Sequence, residues 1–476
     1  MSFSPPRTAL VPLIISCGLF MEILDGSIIS TALPAIAESL QTDPLHLNLA
    51  ITAYLFSLAL FIPLSGWTAD RFGARTVFRA AMLIFTLSSI GCGFAQSLPQ
   101  LVLARFVQGM GGALMVPVGR LVLLKTVPKA GLVNATVWLT TPAMIGPVMG
   151  PPLGGFIVTY SSWRWIFFVN LPIGVLGMVL ATLFIDNIRE EVQEPLDWRG
   201  FLLMAAGLAG LVFSFETVGR NMVSGEVVAA LLLGGIVCVG LYVRHARKTM
   251  SPIVDMSLFR LATFRASMTG GSFFRIGIGA LPFLLPMMLQ IGFGLTPLTS
   301  GLLTFSAAAG ALMVRMVAGA TIRRFGFRRV MVGNALIGGV SIMLCALFRP
   351  GTPHAVIFSV LLVGGFFRSL QFLGLNTLVF AEVPDERMSR ATTLFSMLQQ
   401  LFLSVGVGTG ALMLGLALNW RHGANLSAGD FYPAFVGVGL ISALSAIFFL
   451  PLKPDAGAEL SGHPMTSHRR LANSKT

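Results

Sequence analysis

The chain has 476 residues, 55% hydrophobic and only 11% charged, with a mean hydropathy of +0.83 and a formal net charge of +13. These averages exclude an ordinary soluble globular protein and define a membrane protein with no room for a large soluble domain. They also argue against a nucleic-acid partner, because no recognisable nucleic-acid module remains outside the apolar stretches, and anionic lipid headgroups are the natural counter-charge.

Windows of the length needed to cross a bilayer predict helices at 11–35, 47–68, 77–95, 100–121, 131–157, 164–185, 198–216, 226–243, 266–290, 299–319, 329–348, 354–380, 390–416 and 431–450. The first reads as a span, since a dozen more follow it and no charge-rich leader with a clean cleavage site is present. Fourteen spans place both termini on one side. Basic residues gather in connections of one parity: Arg71, Arg75 and Arg79; Lys125 and Lys129; Arg244, Arg247, Lys248, Arg260 and Arg265; Arg323, Arg324, Arg328 and Arg329. The opposite connections hold only Arg164, Arg220, Arg349 and Arg421, so the positive-inside rule makes the first set and both termini cytoplasmic. Cys17, Cys92, Cys238 and Cys345 lack paired or metal-like spacing and read as small core residues.

GWTADRFGAR at 66–75 is echoed by GATIRRFGFR at 319–328, each leaving a helix through a short basic loop. The offset of 253 residues fits six helices, a two-helix insert and six more. The expected organisation is a six-helix bundle at 1–192, the insert at 193–250, a second six-helix bundle at 251–452 and a cytoplasmic tail at 453–476. Duplicated halves favour alternating access around a central cavity.

These motifs, with LDGSIISTALPAI at 24–36, ARFVQGMGGA at 104–113, GPVMGPPLGG at 146–155, WRWIFFVNLPIG at 163–174, LDWRG, SLFR and LPFLLPMMLQ, resemble the major facilitator superfamily over almost the whole chain. Within it the chain looks like the fourteen-helix drug:proton antiporters of the EmrB/QacA type, particularly MdtD-like proteins. The resemblance implies an all-α membrane fold of two six-helix bundles and a two-helix insert, with protons as the coupling ion and no other cofactor. It puts Asp25 at the acidic position of the first helix and Arg105, beside Gln108 and Gly109, at the basic position of the fourth. It gives Gly66, Asp70, Arg71, Gly73 and Arg75 a gating role, and Gly146, Pro147, Gly150, Pro151, Gly154 and Gly155 a seam on which opening depends. On physical grounds alone the first group also fits a local loop staple, and the second fits plain packing as well as a hinge. Arg323 stands where the first repeat has Asp70, so the second copy cannot supply the same carboxylate.

Glu22 and Asp25 lie three apart and share one helix face. A carboxylate at hydrocarbon depth costs about 2.5–3.5 kcal/mol on translocon scales, so the pair should face the bundle interior or a wet cavity. One reading is proton coupling, with the two acids titrating as a unit; the other is permanent neutralisation by a nearby arginine. Arg105, Arg275 and Arg368 lie inside predicted spans, whereas Arg315 and Arg120 sit near ends and read as snorkelling. Guanidinium groups neutralise and orient but do not carry protons.

A cavity for amphipathic molecules should be apolar and aromatic with a few polar anchors. The residues beside motifs or polar breaks are Tyr54, Phe273, Phe274, Arg275, Phe283, Met287, Gln290, Phe367, Arg368, Gln371 and Asn376. Glu216, in the insert, reads as an interfacial acid. No nucleotide loop, zinc cluster or nucleophilic triad is present, so an enzyme is not expected. The leading expectation is a monomeric, proton-coupled exporter of small amphipathic compounds in contact with membrane lipids of the bacterial cytoplasmic membrane. The alternatives are an exporter or flippase of anionic lipid-like metabolites, and a non-transporting sensor or structural protein.

Overall fold

In hydrocarbon every backbone N–H and C=O must be paired within its own segment, so long apolar runs of this composition become helices. The computed structural model describes residues 7–127, 132–187, 195–217, 224–249, 252–423 and 425–461, and among the described residues it contains helices and no strands. Lys129, Arg220 and the tail beyond 461 lie outside the described residues.

The long helices are α1 (Arg7–Ile28), α2 (Asn48–Phe61), α3 (Ala74–Gly93), α4 (Leu98–Thr126), α5 (Leu132–Tyr160), α6 (Asn170–Phe184), α7 (Trp198–Thr217), α8 (Gly225–Ala246), α9 (Ala262–Met287), α10 (Pro297–Leu344), α11 (His354–Leu378), α12 (Met388–Trp420) and α13 (Phe431–Phe449). Twelve stretches among the described residues are long and apolar enough to cross a membrane. One of them, Pro297–Leu347, is two helical arms joined at Gly326, whose φ of +76° breaks the helix, and α5 adds a further helix of 29 residues. The two spans expected at 299–319 and 329–348 are thus these two arms, one on each side of Gly326.

The elbow at Gly326 is the repeat made visible. Gly73 (φ +89°) and Gly326 (φ +76°) occupy matching places in GWTADRFGAR and GATIRRFGFR, and a backbone angle that residues with a side chain rarely adopt explains the glycine in both.

The chain divides into two compact units: residues 1–253 with 289–305, and residues 254–288 with 306–476. In the first, α1 packs on α5 and α6, and α4 lies between α2 and α3. The core gathers Ile15, Phe78, Phe85, Met115 and Leu58. The inserted helices α7 and α8 pack on each other through Gly207, Gly210 and Gly235, where an added Cβ would lie within 3.1 Å of the facing helix. Helix α7 also lies along α2. Phe201 meets Phe61 at 6.2 Å, Trp198 meets Trp67 at 6.0 Å, and near the other end Asn48 donates to Glu216 Oε2 at 2.6 Å. Glu216 is therefore a buried tie between insert and bundle rather than an interfacial acid. In the second unit α9 packs on α12 and α13 around Phe274, Met331, Leu370 and Phe449.

Candidate functional site

Helix α1 carries Glu22 and Asp25 into the interior of the first unit. Asp25 is 1% exposed, and each of its oxygens is occupied. Its Oδ2 is ion-paired with Arg105 Nη1 of α4, and its Oδ1 accepts from Gln108 Nε2 and from Asn170 Nδ2 of α6, both at 2.9 Å. Ser89 Oγ of α3 accepts from the same two amides, at 2.6 and 3.1 Å. Arg105 also donates to Gln108 Oε1 at 2.6 Å and to the Ala50 carbonyl at 3.3 Å, and its guanidinium lies 4.2 Å from the Tyr54 ring centroid. Three side chains from two other helices thus bond one carboxylate, and Ser89 of a third helix accepts from two of them. A buried charge persists only when so paired and hydrogen-bonded.

Glu22 is different. It is half-buried, and its Oε2, wholly buried, has no hydrogen-bond partner. Tyr54 Oη reaches the Glu22 backbone carbonyl at 3.5 Å, so Tyr54 belongs to the acid cluster and is itself buried.

The seam behind these acids is α5. Gly146, Gly150 and Gly154 recur every four residues and form one stripe, the spacing that lets helix backbones approach closely. An added Cβ would lie 3.1 Å from Leu24 N at Gly146, 2.7 Å from Ser27 Cβ at Gly150 and 2.5 Å from the Ile28 carbonyl at Gly154. Ser27 Oγ donates across the seam to the Gly146 carbonyl at 3.2 Å. Pro147 and Pro151, which supply no N–H, sit within this helix, and Gly155 turns to another neighbour, Leu298. A π-type turn at Met288–Gly292 carries Gln290, whose amide donates to the Thr31 carbonyl at 3.0 Å.

The basic loop at 66–75 is stapled to the chain that follows α6. Arg75 Nη1 donates to the Ile185 carbonyl at 3.2 Å, Thr76 N donates to Asn187 Oδ1 at 3.3 Å, and the side chain of Asn187 covers Gly73. Arg71 lies 5.4 Å over the Trp67 ring. Asp70 is not free, and Gly66 faces open space. Asn187 was missed from the sequence, as was a clasp in the second unit. There Asp255 accepts from Ser257 N at 3.0 Å and from Arg387 Nη2 at 2.7 Å, and Glu382 accepts from Thr263 N at 3.0 Å. Burial raises the Asp255 carboxyl, but hydrogen bonds from Ser257 and Arg387 outweigh it and hold the group below the usual carboxylate range.

The expected lining residues of the second unit have mixed placements. Phe274, Phe283 and Met287 are fully buried core, Phe273 stacks on Phe448 at 4.9 Å, and Asn376 is half-buried. Phe367 borders a cavity of about 310 Å³ with Phe366, Leu370, Ile337, Asn334 and Arg329. Arg275, Arg368 and Gln371 are buried in α9 and α11.

Helical units built on a repeat, with buried charges held between helices, define a membrane transporter rather than an enzyme. The chain belongs to the Major Facilitator Superfamily, matching that family over residues 15–407 and 267–472. It is 37% identical over 445 residues to the "Putative multidrug resistance protein MdtD" of Citrobacter koseri, covering 93% of this chain and 94% of the relative. The protein of that name from Salmonella typhimurium is 38% identical with the same coverage. Among solved structures, a D-xylose-proton symporter superposes with a TM-score of 0.67 at 15% identity, covering 94% of this chain and 98% of that one. A bacterial homolog of the human lysosomal transporter Spinster gives 0.64 at 15% identity, covering 96% and 97%. At such identity these two show a shared fold. The family resemblance carried by the sequence motifs therefore holds.

Proposed function

We propose that the protein exports small amphipathic compounds in exchange for protons, by alternating access, across the bacterial cytoplasmic membrane, with both termini on the cytoplasmic side. The observation that carries this reading is the pair of acids on α1: Asp25 fully paired with Arg105, Gln108 and Asn170, and Glu22 one turn away with an unpartnered buried oxygen. Relatives named for multidrug resistance support the choice of cargo.

The two acids suit different parts of one cycle. Glu22 can take or release a proton at Oε2 without breaking a hydrogen bond at that oxygen. Asp25 can do so only if Arg105 withdraws, and Gln108 Oε1 and the Ala50 carbonyl remain to receive it. Proton traffic is then linked to the position of α4 relative to α1. The α5 glycine stripe holds the back of α1, so movement at the acids is transmitted through a tight seam rather than absorbed by loose packing.

The test is reconstitution of the purified protein in vesicles with an internal pH dye, challenged with cationic, neutral and anionic amphiphiles. A saturable substrate flux with opposite proton flux supports exchange. Substrate flux that ignores the proton gradient contradicts it.

A further inference from the structure

We infer that the second unit carries a binding site for an anionic glycerophospholipid in a groove beside the elbow at Gly326, with Arg328 and Arg329 holding the phosphate and the second arm of α10 supporting the acyl chains. The inference goes beyond the exporter reading and does not depend on it.

Two cavities share Phe325, Arg329 and Gly333 at the start of that arm. One, of about 500 Å³, adds Arg328 and, from the end of α13 and the chain after it, Leu450 and Pro454. The other, of about 310 Å³, adds Asn334, Ile337 and the α11 residues Phe366 and Phe367. Arg329, Gly333 and Ile337 recur every four residues and share one face of the arm. Nothing lies within 4 Å of a Cβ added to Gly333, so the space common to both cavities is open.

Polar groups along this groove are unspent. Arg328 is half-buried, Arg329 is exposed, and neither makes an ion pair among the described residues. Lys453, exposed beside Pro454, adds a third positive charge, while the next acid, Asp455, is buried and not free. Asn334 is 5% exposed, yet its Nδ2 donor has no hydrogen-bond partner. Buried donors are ordinarily satisfied, so an acceptor is missing here. The first repeat meets the same need from within the chain. Arg75, 253 residues before Arg328, donates to the Ile185 carbonyl at 3.2 Å, and Thr76 N donates to Asn187 Oδ1 at 3.3 Å. In the second repeat Arg329 stands in place of Thr76, and Asn334 in place of the buried Ala81.

Order along the arm selects the ligand. The elbow and its arginines lie between apolar stretches, and the α13 span ends at Phe449, just before Leu450. Asn334 lies about one and a half turns beyond Arg329, and Ile337 nearly one turn further, opposite the phenylalanines of α11. Guanidinium, amide donor and apolar wall follow one another as phosphate, ester carbonyl and acyl chain do in a phospholipid, from the interface inward. A soluble phosphate would use only the first of these. The ammonium group of a zwitterionic headgroup would meet three like charges, whereas basic pockets between membrane helices suit anionic lipids.

The test is native mass spectrometry of the purified full chain in detergent, titrated with dioleoyl phosphatidylglycerol, with dioleoyl phosphatidylethanolamine, and with glycerophosphoglycerol, the headgroup without chains. The first phosphatidylglycerol should bind about tenfold or more tighter than the first phosphatidylethanolamine. Arg328→Gln combined with Arg329→Gln should remove that preference. Gly333→Leu keeps every charge, replaces glycine by a better helix former and fills the shared open space; it should weaken phosphatidylglycerol binding by about tenfold. Equal binding of the two lipids by the unmodified protein overturns the proposal, as does a preference that survives both variants. Loss in the arginine variant with Gly333→Leu unaffected reduces the site to surface charge and overturns the groove. Competition by glycerophosphoglycerol at the concentration of the lipid assigns the site to a soluble phosphodiester and overturns the lipid. None of these readouts involves a proton gradient or transport, so failure here is distinct from failure of proton exchange at Glu22 and Asp25.

Discussion

Gly154→Ala places a methyl group where α5 meets α1. The added carbon would lie 2.5 Å from the Ile28 carbonyl oxygen and 3.0 Å from Ile28 Cγ1, and it would collide with Thr31 Oγ1. The threonine hydroxyl can rotate away, but the carbonyl is backbone. Ordinary contact begins near 3.4 Å, so the helices must part by close to 1 Å, at the usual overpacking cost of about 1–3 kcal/mol. Three residues before Ile28 is Asp25, with two hydrogen bonds of 2.9 Å that a shift of this size would stretch past 3.5 Å. Gly66→Ala is the control, because nothing lies within 4 Å of its added carbon and alanine is the better helix former by about 1 kcal/mol. Detergent-solubilised proteins melted side by side should rank Gly154→Ala well below the unmodified protein and Gly66→Ala level with it or above it. Transport should fall in Gly154→Ala. If Gly154→Ala melts and transports as the unmodified protein does, the seam is not tight and its link to the acids fails.

Three further outcomes are expected. Asp25→Asn leaves Arg105 buried with its charge uncompensated and should cost about 3–5 kcal/mol in unfolding experiments, whereas Glu22→Gln should cost far less, because Oε2 has no hydrogen bond to lose. Gly73→Ala forces a side chain into a backbone angle of +89° and to 2.7 Å from Asn187 Cγ, so proteolysis of the 66–76 loop should accelerate, with Asn187→Ala relieving only the clash. The Asp255 carboxyl, held below its ordinary range, stabilises the second unit at pH values above its unfolded pKa of about 4, and that contribution is lost as pH falls through the lower native value. Asp255→Asn should therefore be less stable at neutral pH by about 1 kcal/mol or less, with the difference vanishing in acid melts.

Much of the site was readable because charge inside an apolar run has few innocent explanations. The pairing of Asp25 with Arg105 follows from two motif positions, and the repeat at 66–75 and 319–328 led to two glycine elbows with the same handed backbone. Periodicity gives which residues share a helix face but not which neighbour meets that face. Asn170 and Ser89 were therefore invisible as partners of Asp25, although an asparagine at the head of the apolar α6 was a signal. For the same reason the neighbours of the α5 glycines, Ser27 and Ile28, were not legible in the sequence. Phe283 and Met287, expected to line a cavity, are fully buried in this structure, and composition alone does not separate a wet wall from a dry one. The clasp of Asp255, Ser257 and Arg387 joins residues 130 or more apart, beyond any local pattern.

Substrate-triggered proton release from purified protein tests the account most directly. The unmodified protein, mixed with a transported amphiphile in weakly buffered solution across a pH series, should release protons in proportion to substrate bound. Glu22→Gln should release fewer while remaining folded and binding substrate, and Asp25→Asn should release few or none. Release unchanged in both variants at matched folding would remove the α1 acids from coupling and contradict the proposed mechanism.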